Sequence, residues 1–385
     1  MPPSPPSAPT LALLADAGAL HTQRWAAALQ EAGWRVTVYS TGGREPFGGG
    51  IPVVPIFGAH MNVSRRPLST AAEYLRVRAL LRRADIVHVH YVPANRQNRI
   101  LTGLPRLLVS PWGSDVLERP GNEKTEEKRR YLRMALSQAQ AILCSSAYLR
   151  DRLPELYGVR PEQLHLVYWG VDLDAFDSGR YPAPPNDTFT IGFFKHLKPY
   201  YGPSVLIHAL ALFDRGVGHP WRCLMYGEGE LREPMQHLAL AHGLAGKIAF
   251  PGKLTHDAVP AAMAACHVVV SPSVVDESLG VASLEAQALG IPVINSNLGG
   301  MPETVAPGGG FLIPPGDPEA LTSALLELVY DPAKRAAMGQ AGARFIRDQH
   351  LDWHTAVARV DAIQRHLLAN PGRPVPQRVV EPLTP

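Results

Sequence analysis

The chain has 385 residues, of which 46% are hydrophobic and 18% charged, and its formal net charge is +3. These are values of a globular protein, so an intrinsically disordered chain is excluded, and the length suits two domains better than one core. No run approaches eighteen apolar residues, which argues against a transmembrane helix. The Pro/Ser-rich start lacks the basic region and apolar core of a signal peptide. We therefore expect a cytoplasmic protein.

The charge distribution and the cysteines indicate which partners and which cellular compartment to expect. The first 175 residues contain 21 Lys and Arg against 15 Asp and Glu. This half could attract an anionic acceptor or make peripheral contact with the inner face of the membrane, although a solvated arginine-rich surface explains the bias at least as well.

Cys144, Cys223 and Cys266 stand far apart in apolar stretches. They predict buried thiols in a reducing compartment, with neither disulfide nor metal spacing.

Strand and helix signals alternate along the first half of the chain. Residues 1–9 predict a disordered N-terminus, and residues 10–175 predict a first domain. The apolar run 10–15, the helical stretch 21–32 and the strand 34–40 form one β-α-β unit. Such alternation predicts a mostly parallel sheet with helices on both faces. The further strands are predicted at 51–56, 86–90, 106–110, 141–145 and 165–168, and the further helices at 71–83, 125–138 and 146–156.

A segment rich in Pro, Gly and Asp, residues 176–187, is predicted to be a linker, and the same pattern restarts after it. Residues 188–350 predict a second domain of similar construction. Residues 351–368 predict a final helix, and residues 369–385, with five prolines, predict a loose tail. The predicted strands are 189–194, 221–226, 248–250, 268–271, 292–295 and 311–313, and the predicted helices are 204–213, 231–242, 258–265, 281–289, 318–330 and 334–348.

Two glutamates eight positions apart, Glu277 and Glu285, give the strongest functional signal in the chain. Glu277 follows the predicted strand 268–271 and precedes a helix that starts near Gly280. The free N–H groups and the positive dipole end of that helix suit a phosphate, and the two carboxylates can accept hydrogen bonds from hydroxyls. A ligand that presents a phosphate next to sugar hydroxyls would be a nucleotide sugar. The alternative is an ordinary turn in which one glutamate is solvated and the other caps the helix.

The stretch from Glu277 to Glu285 resembles the Glu-x7-Glu signature of retaining GT-B glycosyltransferases, in particular glycosyltransferase family 4. The resemblance is supported by the strand before Glu277 and by the sequences Leu-Glu-Ala and Gly-Ile-Pro-Val-Ile that follow Gly280. The resemblance covers most of residues 11–350. It implies an α/β protein with two Rossmann-like domains facing across a cleft and a C-terminal helix that returns to the first domain. It also implies that Glu277 contacts hydroxyls of the donor sugar and that Glu285 binds the nucleotide ribose. The donor-binding residues expected around this helix start are Ser278, Leu279, Gly280, Val281 and Glu285.

The resemblance further implies a cationic residue at the end of the second domain's first strand and a lysine five residues later. Lys195 fits the first position, but Tyr200 occupies the second. Lys198 could supply the missing charge from a shifted position, and two surface lysines in a turn are the alternative. Such enzymes typically stabilise the leaving diphosphate with basic groups and N–H groups, so we expect no metal and no cofactor. Asp172-Leu173-Asp174 has the Asp-x-Asp pattern that often binds a metal in other folds. Its first residue, however, ends the run Gly170-Val171-Asp172, which resembles the family's interdomain Gly-Val-Asp loop, so metal binding is not expected there.

Three glycine-containing segments complete the donor side that the resemblance implies. Gly227-Glu228-Gly229 resembles the Gly-x-Gly turn of the nucleotide pocket, although a plain turn explains it equally well. Phe250-Pro251-Gly252 resembles a Phe-x-Gly segment whose backbone reads the base. Gly18 lies in the loop after the first strand, where glycine lets the backbone approach the diphosphate.

The acceptor side is less patterned. His21 opens the run His-Thr-Gln-Arg-Trp, which resembles a variant motif found in part of the family. His21 is therefore a candidate for donor or acceptor contact, and a capping or packing role is equally open. Residues 110–115 resemble a His-Gly-x-Asp turn, but Trp112 occupies the place of the histidine, which predicts a rearranged acceptor subsite. Asp115 is a candidate for acceptor contact, with capping of the next helix as the alternative.

The sequence thus predicts a retaining, metal-independent glycosyltransferase of the hexosyltransferase class. The donor would be a UDP-, GDP- or ADP-linked sugar, and the hydroxyl acceptor a sugar, a lipid-linked molecule or another small molecule; nucleic acid is not expected. Glu277, Lys195 and Lys198 are the candidate catalytic residues. Two alternatives stay open: a nucleotide-sugar binding protein without transferase activity, suggested by Tyr200 and Trp112, and a GT-B-fold sugar-nucleotide epimerase.

Overall fold

The computed structural model describes residues 8–42, 48–57 and 67–376. Of the predicted disordered N-terminus, residues 1–7 lie outside the described residues, and of the predicted Pro-rich tail, residues 377–385 do. The described chain folds into two compact units. The first unit contains the described residues up to Val116, then Glu123–Tyr168, and the chain from Ala356 onward; the second contains Leu117–Asn122 and Trp169–Thr355.

A parallel sheet of seven strands forms the centre of the first unit. Its strands are β1 (Thr10–Leu14), β2 (Arg35–Ser40), β3 (Val53–Pro55), β4 (Ile86–His90), β5 (Leu107–Ser110), β6 (Ala141–Cys144) and β7 (Leu164–Leu166). Their order is β3-β2-β1-β4-β5-β6-β7, and every pair is parallel. Strand β3 is shorter than predicted because Pro52 and Pro55 lack N–H donors, which an edge strand tolerates best.

Four helices of this unit precede the linker: α1 (Leu20–Glu31), α2 (Pro67–Leu81), α3 (Glu126–Gln138) and α4 (Ala147–Tyr157). Helix α2 starts four residues before its predicted beginning, at a proline whose fixed φ suits the first helical position. The start of α4 is set by Ser146, whose hydroxyl accepts the N–H of Leu149 at 3.0 Å. Its end is set by Gly158, which has the left-handed φ of +65°.

The second unit contains a parallel sheet of six strands in the order β10-β9-β8-β11-β12-β13. These are β8 (Phe189–Phe194), β9 (Trp221–Tyr226), β10 (Ile248–Gly252), β11 (Val268–Ser271), β12 (Val293–Ser296) and β13 (Gly310–Ile313). The helices are α5 (Pro203–Gly216), α6 (Arg232–Ala241), α7 (Val259–Ala264), α8 (Val281–Ala288), α9 (Pro318–Tyr330) and α10 (Pro332–Asp348). Strands β8 and β11 are neighbours, so the loops after them leave the same edge of the sheet.

The last helix, α11 (Trp353–Ala369), joins the first unit from Ala356 onward, as predicted. Its Asp361 accepts a hydrogen bond from the indole of Trp34 at 2.6 Å, and its Gln364 donates to His88 Nδ1 at 3.1 Å. The two parallel sheets confirm the predicted α/β fold class. Within the described ranges, no helix combines the length and the apolar character that a membrane crossing requires.

Candidate active site

The ends of β8 and β11 bring together the two side chains with the strongest catalytic prediction. Lys195 follows β8 directly and Glu277 follows β11, and the ammonium of Lys195 lies 2.8 and 2.6 Å from the two carboxylate oxygens of Glu277. The side chains are only 10% and 7% exposed. Ser273 also donates a hydrogen bond to the Glu277 carboxylate. The result is a buried ion pair that adjacent parallel strands place at one edge of the sheet.

The backbone of Glu277 is fixed by the loop that follows β12. Gly300 donates its N–H to the Glu277 carbonyl at 2.7 Å. Gly299 has φ of +59°, and a Cβ added there would lie 2.6 Å from the same carbonyl oxygen. Only glycine allows this approach without displacement. The position of the carboxylate therefore depends on two neighbouring loops as well as on its own.

Helix α8 begins immediately beyond Glu277, as the sequence predicts. Gly280 is its N-cap, and no side chain caps it. The first N–H groups of a helix have no partner within the helix and carry a partial positive charge, so this start can receive an anion. Ser278 and Leu279 are buried between Glu277 and the helix. Val281 and Glu285 lie in the first and second turns of α8 and are partly exposed.

Two tyrosines and a cluster of cations surround the ion pair. The ammonium of Lys195 lies 4.8 Å from the ring centroid of Tyr201. Lys198 does not reach Glu277 through any contact described here; its ammonium lies 5.8 Å from the ring centroid of Tyr200. Arg119 lies over the same two rings, at 5.3 Å from Tyr200 and 5.9 Å from Tyr201. It also donates to the Tyr201 hydroxyl at 3.4 Å.

Arg119 is the cation that sequence reasoning missed. It stands 82 positions before Tyr201, in the short segment Leu117–Asn122 that packs with the second unit. Burial and the charge of Glu277 raise the pKa of Tyr201, while Arg119 opposes that rise. The Tyr201 hydroxyl is therefore protonated at neutral pH. The only local signal was a lone arginine between Glu118 and Pro120.

The Gly227-Glu228-Gly229 turn packs against the loop that carries Lys195. A Cβ at Gly227, where φ is +122°, would lie 2.1 Å from the Lys195 carbonyl oxygen, and one at Gly229 would lie 2.3 Å from that of Leu197. Small residues are thus required here by the close approach of two backbones. The turn also pairs with β10, because Gly227 donates to the Gly252 carbonyl at 2.9 Å.

Phe250, predicted to read the base through its backbone, already uses its carbonyl within the protein. Arg232 donates to that carbonyl at 2.6 Å and lies 3.2 Å from the carboxylate of Glu228. The arginine therefore ties the Phe-Pro-Gly segment to the glycine turn.

In the first unit, the loop after β1 is held by Asp16, whose carboxylate accepts the Gly18 N–H at 2.9 Å. A Cβ at Gly18 would meet only that carboxylate, at an ordinary 3.5 Å. Packing within the protein therefore does not require glycine at this position. Its predicted role toward a diphosphate stays a prediction.

Aromatic and imidazole rings line a cavity of about 400 Å³ in the first unit. Trp112, His90 and Tyr91 are among its lining residues, and the ring centroid of Trp112 lies 5.9 Å from that of His90 and 6.0 Å from that of Tyr91. The ring of His21, which does not line the cavity, lies 5.6 Å from that of Trp112. His90 is buried, and its Nδ1 has no hydrogen-bond partner among the described residues. Burial and the nearby His21 lower the pKa of His90 to about 3, so the ring is neutral. Trp112 therefore forms a wall of this cavity, next to an imidazole with unused hydrogen-bonding capacity.

Asp115 serves the architecture of the same loop. Its carboxylate accepts the N–H groups of Val92 at 2.8 Å and Trp112 at 2.9 Å. Burial raises the pKa of Asp115 to about 6, although these N–H groups oppose the rise. Capping of the next helix falls to Thr125, which accepts the Lys128 N–H at 3.3 Å. The predicted acceptor contact of Asp115 stays a prediction.

The Asp172-Leu173-Asp174 sequence forms a turn, in which Asp172 accepts the N–H groups of Asp174 and Ala175 at 3.2 and 3.1 Å. In the described part of the chain, no cluster of three or more His, Cys, Asp or Glu side chains could hold a metal ion. The three cysteines are buried thiols, as predicted.

Two protein-family models match the chain. The model of glycosyl transferases group 1 matches residues 180–345, and that of glycosyltransferase family 4 matches residues 18–175. The first range contains the ion pair, and the second contains the ring residues His90, Tyr91 and Trp112 of the aromatic cavity.

The chain is also similar to curated proteins, and it shares its fold with solved structures. D-inositol 3-phosphate glycosyltransferase of Corynebacterium glutamicum (strain R) is 26% identical over 308 residues, which cover 74% of this chain and 73% of that protein. GDP-mannose-dependent alpha-(1-6)-phosphatidylinositol monomannoside mannosyltransferase of Mycolicibacterium smegmatis is 30% identical over 276 residues, 67% of this chain and 69% of that protein. The structure of Anabaena HepE with UDP-glucose has a TM-score of 0.73 at 20% identity, covering 94% of this chain and 99% of HepE, and shows the shared fold.

Proposed function

The chain belongs to the family of group 1 glycosyl transferases, and we propose that it transfers a sugar from a nucleotide-diphosphate sugar to a hydroxyl acceptor with retention of configuration and without a metal ion. Membership makes it a glycosyltransferase with a nucleotide-sugar donor. The observation that carries the finer proposal is the buried ion pair of Lys195 and Glu277 beside the start of α8.

The cations of the second unit would stabilise the leaving diphosphate. As the bond between the anomeric carbon and the phosphate oxygen breaks, negative charge grows on the diphosphate. Lys195, Arg119 and the N–H groups at the start of α8 can neutralise this charge from fixed positions, which is the largest catalytic contribution in many enzymes. These groups supply the charge stabilisation that a metal ion provides in other transferases, and this supports metal independence.

Glu277 would orient the donor sugar, and Glu285 the ribose. When the diphosphate draws the ammonium of Lys195 toward itself, the Glu277 carboxylate becomes available to accept hydrogen bonds from sugar hydroxyls. Ser273 and the Gly299–Gly300 loop keep that carboxylate in place during the exchange. In the retaining reaction, the acceptor oxygen bonds to the anomeric carbon on the face that the phosphate leaves. The acceptor proton then passes to the departing phosphate oxygen.

The acceptor would use the aromatic cavity of the first unit. Tryptophan and tyrosine rings pack against the C–H faces of sugar or polyol rings, and the unpaired Nδ1 of His90 can exchange a hydrogen bond with a hydroxyl. The names of the two curated relatives include inositol 3-phosphate and a phosphatidylinositol mannoside as acceptors. We therefore propose a polyol or glycolipid acceptor. For a glycolipid, the basic first half of the chain would make the peripheral membrane contact, and co-sedimentation with anionic vesicles tests that part.

A product analysis tests the proposal. The protein is incubated with GDP-mannose, UDP-glucose or ADP-glucose and with inositol 3-phosphate, with and without EDTA, and the anomeric configuration of the product is read by NMR. We expect an α-linked product from an α-linked donor at a rate that EDTA leaves unchanged. Glu277→Ala should abolish transfer, whereas Glu319→Ala, at an exposed glutamate of α9, should not. A β-linked product, loss of activity in EDTA, or normal turnover of Glu277→Ala would contradict the proposal.

A further inference from the structure

A second cavity, of about 600 Å³, lies at the opposite edge of the second unit's sheet; we call it the arginine cavity. Its wall includes His267, which directly precedes β11, and Ile291 and Pro292, which directly precede β12. Lys195 and Glu277 instead follow the carboxyl ends of β8 and β11. At ~3.3 Å per residue, a four-residue strand separates the two edges by roughly 13 Å. The arginine cavity is therefore distinct from the proposed donor site.

The charged side chains of the arginine cavity are cationic. Arg335, Arg344 and Arg347 of α10 line it, and no Asp or Glu is among its lining residues. Arg344 and Arg347 are exposed and form no ion pair with any described residue. Arg335 lies over the ring of Phe189 at 5.5 Å and donates to the Leu328 carbonyl at 2.8 Å, and burial lowers the pKa of Arg335. Three guanidinium groups without a carboxylate favour an anionic ligand.

His267 adds a buried hydrogen-bond donor without a partner. The residue is 5% exposed, and its Nδ1 accepts the Thr190 N–H at 3.0 Å, so the proton of the neutral ring is on Nε2. Burial and the charge of Arg335 lower the pKa of His267 to about 4, so the ring is neutral at pH 7. Nε2 has no hydrogen-bond partner in the described part of the chain. A buried donor without a partner destabilises the protein, and a bound acceptor would recover that cost.

The remaining wall of the arginine cavity is largely apolar. Pro182 and Pro184 come from the linker, and Ala264, Leu289 and Pro292 come from the ends of α7, α8 and the approach to β12. The volume falls within the range of about 300–1,000 Å³ that small-molecule sites occupy. The walls therefore suit a ligand with a compact apolar body and one strongly anionic end.

We propose that the arginine cavity binds a phosphomonoester with a compact apolar body, whose phosphate is held by Arg344, Arg347 and the Nε2–H of His267. A phosphomonoester dianion offers three terminal oxygens to these donors, more than the two of a carboxylate. The ligand would contact both the linker and α10, since both contribute lining residues to the cavity. This binding needs neither the donor nor the acceptor of the proposed transfer reaction.

Titration calorimetry with hexyl phosphate tests the proposal, with inorganic phosphate and hexanol as comparison ligands. The intact protein should bind hexyl phosphate at least about tenfold more tightly than inorganic phosphate, because the cavity removes several methylene groups from water. Hexanol should not bind measurably. The variant Arg344→Gln/Arg347→Gln should weaken hexyl phosphate binding by at least about tenfold, since it removes the charge-assisted hydrogen bonds of two guanidinium groups. The matched control Arg82→Gln/Arg215→Gln removes the same charge at exposed arginines outside the cavity and should bind normally.

Two further arms assign the site and the source of the ligand. Lys195→Met/Glu277→Gln, which removes both charges of the donor-site ion pair together, should bind hexyl phosphate as the unmodified protein does, because the donor site is not used. Flotation with phosphatidylcholine vesicles that contain phosphatidic acid, weaker in Arg344→Gln/Arg347→Gln than in the matched control Arg82→Gln/Arg215→Gln, would identify a lipid phosphomonoester; calorimetric binding without that difference in flotation would identify a soluble one. No hexyl phosphate binding, equal affinity in Arg344→Gln/Arg347→Gln, or loss of binding only in Lys195→Met/Glu277→Gln would overturn the proposal.

Discussion

Removing Lys195 should destabilise the second unit because it leaves Glu277 as a buried anion. The Glu277 side chain is 7% exposed, and Ser273 would be its remaining side-chain donor. Removing one partner of a buried ion pair costs about 3–5 kcal/mol. For domains of about 150–250 residues, 1 kcal/mol shifts the Tm by about 2–4 °C. Lys195→Met should therefore lower the Tm of the second unit by roughly 6–20 °C in differential scanning calorimetry.

The reverse change should cost less. In Glu277→Gln the ammonium of Lys195 keeps its contact with the Tyr201 ring, 4.8 Å away, which contributes ~0.5–2 kcal/mol. The double variant Lys195→Met/Glu277→Gln removes both charges and should recover most of the stability lost in Lys195→Met. A coupling free energy of about 2 kcal/mol or more between the two sites is expected. Transfer activity should fall about 100-fold or more in all three variants. The double variant should recover stability but not activity, because it still lacks the ammonium that stabilises the diphosphate charge.

The exposed ion pair of Lys334 and Glu327 is a matched control, because those side chains are 40% and 44% exposed. Its double-variant cycle should give a coupling of at most about 1 kcal/mol. A double variant of Lys195 and Glu277 no more stable than Lys195→Met would refute the coupling. Full turnover in that double variant would refute the proposed catalytic roles.

Three further predictions test the surroundings of the site. Gly299→Ala should reduce both transfer activity and stability, because its Cβ would meet the Glu277 carbonyl. The control Gly243→Ala has a similar φ but open space around the new Cβ, so it should lower the free energy of unfolding by only about 1 kcal/mol and leave kcat unchanged. Equal kinetics for the two variants would contradict this. Arg119→Ala should lower kcat about 10- to 100-fold and Arg119→Lys less, if this cation stabilises the diphosphate; unchanged kcat in Arg119→Ala would assign the arginine to packing. Because burial lowers the pKa of His90 from 6.5 to about 3, its stabilising contribution is present above pH 6.5 and is lost as the pH falls toward 3. His90→Gln should make the acid dependence of urea unfolding shallower, and an identical pH slope in the variant would contradict this.

The sequence predicts the fold class and the family correctly because both depend on local patterns. The strands β8, β9 and β11 have their predicted bounds, since each is an apolar run between clear turn signals. Errors fall at element ends, as at α2, which begins at Pro67, and at α5, which continues to Gly216. Apolar periodicity does not define where a helix ends when neighbouring packing supports another turn.

The pairing of Lys195 with Glu277 also follows from the sequence once the order of the strands is assumed, because both residues end neighbouring parallel strands. The position of Arg119 does not, since a loop far away in sequence brings it to Tyr200 and Tyr201. The arginine cavity could not be predicted from the sequence either, because nothing in the sequence distinguishes His267 from an ordinary residue before a strand. Only the three-dimensional structure shows that its Nε2 has no partner and that three arginines share its cavity.

The two departures from the family pattern have different physical consequences. Tyr200 stands where the resemblance implies a lysine in the proposed donor site, but Arg119 places a guanidinium 5.3 Å from its ring centroid, so positive charge stays near Lys195. An arginine can also bind a phosphate through two parallel hydrogen bonds, which a lysine cannot. Trp112 stands where the resemblance implies a histidine in the proposed acceptor site, and the ring of His90, 5.9 Å away, is neutral and buried. We therefore expect the chemistry at the diphosphate to be conserved and the choice of acceptor to be where this chain differs from its relatives.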